Sequence, residues 1–78
     1  MANRIFSERL NHGLDNIGLP FPEEERIEAF AKLIHAKKFQ AASILHGEII
    51  PGTKVLETIA HELEVNVDWL IGKTKDEH

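Results

Sequence analysis

Cysteine is absent from the 78 residues, so neither a disulfide framework nor a thiolate metal site can staple this chain. Serine occurs only as Ser7 and Ser43, which leaves little from which to build a nucleophile and base pair. Histidine is present at positions 12, 35, 46, 61 and 78, but no two stand three or four residues apart. A metal site is therefore not expected, and "HELE" at His61 lacks the second histidine of a zinc protease helix. Apolar residues never run to membrane-spanning length, and "MANRIFSERL" lacks the basic-then-apolar layout of a signal peptide. A soluble intracellular chain follows as the expectation, with no membrane partner, no small-molecule substrate, no cofactor and no enzymatic activity. Seventy-eight residues suffice for one small domain; at that length folding buries only about 60% of the surface an unfolded chain exposes.

Charge of positive sign is in short supply overall, with nine Lys and Arg against thirteen Asp and Glu and a formal net charge of -4. Its distribution is uneven. Between Arg26 and Lys54 five basic residues face two acidic ones, whereas both flanks are acidic. A local field of this kind attracts phosphate even when the whole chain does not.

What the sequence does have is helical periodicity, with no alternation of period two long enough for a strand. Phe6, Leu10, Leu14 and Ile17 form one stripe, and Gly18 and Pro20 end it, predicting a first helix over about residues 3 to 17. In "PEEERIEAFAKLIHA" an acidic start suits the positive end of the helix dipole, and Ile27, Phe30, Ala31 and Ile34 supply the buried face of a second helix. "AKKFQAASILHG" gives a short third helix with Ala41, Ile44 and Leu45 inward and Gly47 as its stop. A fourth follows "IPGTK", with Val55, Leu56, Ile59, Ala60 and Leu63 inward. "NVDWLIG" closes the domain, with Asn66 as N-cap and Trp69 as a packing anchor. The expected architecture is all-α, a five-helix bundle over residues 1–72 with a frayed polar tail over 73–78. "GEIIPGTK" mimics a phosphate-binding loop but fails it, because the lysine follows the threonine and the loop joins two helices.

At 100° per residue, Phe39, Ala42, Ser43 and His46 point away from the core side of the third helix, while Lys37 and Lys38 project from its first turn. Two lysines at a helix N-terminus oppose the dipole, and an exposed Phe beside them needs a reason. From "RIEAFAKLIHAKKFQAASILHGE" through "IPGTKVLETIAHELEVNVDWLIG" the chain resembles the lambda-repressor-like helix-turn-helix family of the Cro/CI or XRE type. "SERLNHGLDNIGLP" is similar to the first helix of phage repressor N-terminal domains. The resemblance covers Ser7 to Gly72 and is most specific in "VDWLIG" after "LETIAHELEV".

That resemblance implies a sequence-specific, double-stranded DNA-binding transcriptional regulator, of phage or prophage repressor type, acting as a cytoplasmic homodimer at the bacterial nucleoid. The second helix would cross the phosphate backbone and the third would enter the major groove. Lys38 would reach guanine O6 or N7, Phe39 a thymine methyl, Gln40 an adenine edge or a phosphate, and Ser43 would be an adaptable contact. Arg26, Lys37 and Lys54 would meet phosphates. The chain departs from the family pattern at His35 and Glu64, where the family favours a left-handed glycine, and at "PEEE", where an acidic link precedes the second helix. The alternative carried by those acidic residues is a protein-interaction module, an antitoxin or adaptor that binds a basic partner. A third reading is an isolated N-terminal domain of a longer repressor.

Overall fold

The structure is a computed structural model that describes residues 2–75. Among these residues there are five helices and no strand: α1 (Ala2–Asn16), α2 (Glu23–Ile34), α3 (Lys38–Leu45), α4 (Thr53–Leu63) and α5 (Val67–Leu70). They form an all-α bundle. No helix among the described residues is long and apolar enough to cross a membrane.

Each helix forms where the apolar spacing gives it one face to bury. Phe6, Leu10 and Leu14 of α1 are fully enclosed, and Phe30 of α2, Ile59 of α4 and Leu70 of α5 meet them in the centre. At about 25 cal/mol per Å² of apolar surface, such side chains each contribute roughly 1.5–3 kcal/mol. Gly13 brings α1 close to α4: a Cβ there would stand 2.6 Å from Leu63 Cδ1. Ile17, expected on the stripe of α1, is 41% exposed. The helix stops at Asn16, so Ile17 belongs to the turn and leaves the 3.6-residue register.

All five helices terminate in one way. A residue with positive φ follows, and the next N–H reaches back five residues: Leu19 to Leu14, Ala36 to Ala31, Glu48 to Ser43, Val65 to Ala60 and Lys73 to Asp68, at 2.7–3.1 Å. This Schellman closure satisfies carbonyls that the helix end would orphan. Glycine serves at three of the ends, and His35 (φ 57°) and Glu64 (φ 58°) at the other two. Neither is glycine, the residue that adopts this backbone without steric cost. Each carries about 1–2 kcal/mol of steric cost. Asn66 caps α5 as expected, its Oδ1 accepting from the Asp68 N–H at 2.8 Å.

The start of the polar tail is held. Arg9 of α1 lies over the Trp69 ring, 5.0 Å from its centroid, and donates to the Trp69 and Thr74 carbonyls. Fraying therefore does not begin at Lys73. Residues 76–78, including His78, lie outside the described residues.

Candidate nucleic-acid interface

α3 is built as a short helix with one buried side and one presented side. Ala41, Ile44 and Leu45 are buried against the rest of the bundle, and α2 packs on α3 more extensively than any other pair of helices. Its C-terminal end is tied to α1: the Leu45 carbonyl accepts from Ser7 Oγ at 2.6 Å and from Asn11 Nδ2 at 3.2 Å. The N-terminal tip is left to solvent. Lys37, Lys38, Phe39 and Gln40 are all exposed, Phe39 to 68%, with Ser43 half-buried one turn on.

Two of these side chains are already engaged. Gln40 Oε1 accepts from the Lys37 N–H at 3.2 Å, half of a capping box; the ammonium of Lys37 has only donors and cannot return the bond. Lys38 Nζ stands 3.2 Å from Glu28 Oε2 of α2, with both side chains more than half exposed. Such a pair contributes about 0–1 kcal/mol in water and opens at little cost. Lys54 is exposed in the first turn of α4, where its carbonyl accepts from Thr58 Oγ1.

Arg26 corrects the expectation that it meets phosphate. It is only 7% exposed. Its Nε donates to the Pro20 carbonyl at 2.8 Å, Nη1 to the Asn11 carbonyl and Oδ1 at 3.3 Å, and Nη2 to Asp15 Oδ1 and the Leu19 carbonyl. A guanidinium has five N–H donors in a fixed fork, and here that fork is spent joining the end of α1, the link and the start of α2. No buried side-chain polar atom among the described residues lacks a partner. The signal was present in the sequence: Arg26 stands four residues before Phe30 and so lies on the buried face of its helix.

Sequence reasoning also passed over a cleft between α1, the start of α2 and the end of α3. It has a volume of about 540 Å³ and is lined by residues including Asp15, Phe21, Glu23 and His46. Phe21 is 82% exposed at its edge, with the Arg26 guanidinium 5.6 Å from the ring centroid. His46 Nε2 lies 2.7 Å from Glu23 Oε1, so the first of the three link carboxylates is paired with the end of α3. Glu23, Glu24 and Glu25 are all exposed. Compared with protein families, curated proteins and solved structures, the chain finds no match in any of the three.

Proposed function

We propose that this protein is a sequence-specific double-stranded DNA-binding regulator of the lambda-repressor-like helix-turn-helix type, with α3 as the helix that enters the major groove. One observation carries the reading: a short helix whose inner face is buried, and whose C-terminal end is hydrogen-bonded to α1, presents two lysines, a glutamine and an exposed phenylalanine from its N-terminal tip. A rigidly backed tip keeps its side chains in register with base edges, whereas a mobile one would lose entropy on binding. In this reading Lys38 exchanges the weak pair with Glu28 for guanine O6 or N7, and Phe39 rests on a thymine methyl. Gln40 keeps its cap and offers its amide NH₂, and Ser43 adjusts to the neighbouring base. Lys37 and Lys54 take phosphates. One such helix reads only a few base pairs, so the regulator acts as a homodimer on two half-sites about one helical turn apart. A phage or prophage repressor is the narrower form of the proposal.

A second reading is favoured by a specific observation, the three exposed carboxylates Glu23, Glu24 and Glu25 at the head of α2. On it, the same bundle is an antitoxin or adaptor that binds a basic protein.

Selection of bound sequences from random duplex DNA at low salt separates the two. A Lys37→Glu, Lys38→Glu double variant serves as control, because carboxylates at a helix N-terminus favour the helix and loss of binding would not reflect unfolding. A two-fold motif recovered by the wild type and lost by the variant is the expected result. Absence of enrichment with the folded wild type would overturn the DNA-binding reading.

A further inference from the structure

A second basic feature lies behind the tip of α3, in the groove where α2 turns into it. The groove has a volume of about 580 Å³ and is lined by Glu28, Ala31, Lys32, His35, Ala36 and Lys38. Two alanines keep its floor shallow in side-chain bulk. The single carboxylate, Glu28, is matched by Lys38. The side chains of Lys32 and His35 have no partner among the described residues, and both are exposed. Two unmatched donors, Lys32 and His35, border a space with room for a group the size of an anion.

His35 adds an independent observation. Its backbone is left-handed at φ 57°, ψ 44°, a conformation glycine would adopt without steric cost. Strain alone does not mark a site, since Glu64 has the same left-handed backbone at the end of α4. His35 is also one of the residues that line the groove. A strained residue that supplies a ligand-facing side chain is the pattern expected of a binding element.

We infer that the α2–α3 groove seats a phosphate group, held by Lys32 and the His35 side chain, and that the phosphate is one of the DNA backbone. The groove adjoins the α3 tip at Lys38, whose ammonium is reserved for the base edge. Lys32 and His35 thus take over, at the far end of α2, the backbone contact that the buried Arg26 does not make. The identity of the source rests on the DNA-binding reading above, whereas the phosphate chemistry rests on the groove.

The test uses Lys32→Ala, an exposed change, and His35→Gly, which removes the imidazole while relieving the backbone, so neither variant is expected to unfold. Affinity for the selected duplex is measured across a salt series, and amide and imidazole NMR shifts of the whole protein are followed during titration with inorganic phosphate. The expected result is that Lys32→Ala lowers the slope of log affinity against log salt by about 0.9, the loss of one phosphate contact. His35→Gly weakens duplex binding, and inorganic phosphate moves the resonances of His35, Ala36 and Lys38 in the wild type only. Duplex binding with both variants unchanged would overturn the inference and leave the DNA-binding reading standing. Phosphate-dependent shifts at the groove in a protein that binds no duplex would uphold the phosphate seat and assign its source elsewhere. Absence of both would overturn it.

Discussion

Replacing Arg26 by methionine decides whether that residue belongs to the frame of the molecule or to its contact surface. Methionine keeps the unbranched stem and removes the guanidinium. The Asp15 carboxylate and the carbonyls of Leu19, Pro20 and Asn11 then lose their shared donor. Deleting one partner of a fully buried ion pair costs about 3–5 kcal/mol. Asp15 is 45% exposed and can recover water, which lowers the expected loss to about 2–4 kcal/mol. Stability for a chain of this size is about 4–12 kcal/mol, from about 0.05–0.15 kcal/mol per residue. The variant should therefore lose a large share of it, equivalent to a fall in Tm of about 8–32 °C at about 4–8 °C per kcal/mol. Urea unfolding followed by the fluorescence of Trp69 reads this directly. Arg26→Lys should recover less than half, because a point charge cannot serve carbonyls on both sides of a fork. A midpoint within about 0.5 kcal/mol of the wild type, the range of an ordinary surface change, would refute this reasoning and return Arg26 to the phosphate contacts.

Glu64→Gly should leave stability unchanged or raise it by up to about 1 kcal/mol, since relief of the left-handed backbone is partly offset by the freer unfolded chain; a lower denaturant midpoint would contradict the strain assigned to φ 58°. Asn66→Ala removes the acceptor for the Asp68 N–H and should cost about 1 kcal/mol, read by thermal unfolding. On DNA, Lys38→Ala should relax sequence preference in a repeated selection, whereas Lys54→Ala should weaken all duplexes alike and reduce the salt slope by about 0.9. Equal losses from the two would remove the base-reading role of Lys38.

Local features of the fold were legible because local rules govern them. The stripes of α1 and α2, the stop at Gly47 and the cap at Asn66 all follow from spacing or from the chemistry of one residue. Arg26 shows where such reading ends. Its partners Asp15 and Asn11 lie 11 and 15 residues away, and periodicity says nothing of which polar groups meet across a turn. The same holds for Lys38, whose pairing with Glu28 depends on how α2 and α3 pack. Gln40 was legible in part: a glutamine three residues after the N-cap is half of a capping pattern. Phe39 was placed outward by the helical wheel and is outward in the structure.

The hold of Arg9 on the Thr74 carbonyl spans 65 residues. During synthesis, at about 5–20 residues per second, α1 waits about 3–13 s before that partner has been made. Through this interval Phe6, Leu10 and Leu14 have no complete core to enter, since Leu70 also comes late. The nascent chain thus carries an amphipathic helix whose apolar face stays uncovered until its partners are made. Closure of the domain is a late event that joins the first helix to the last.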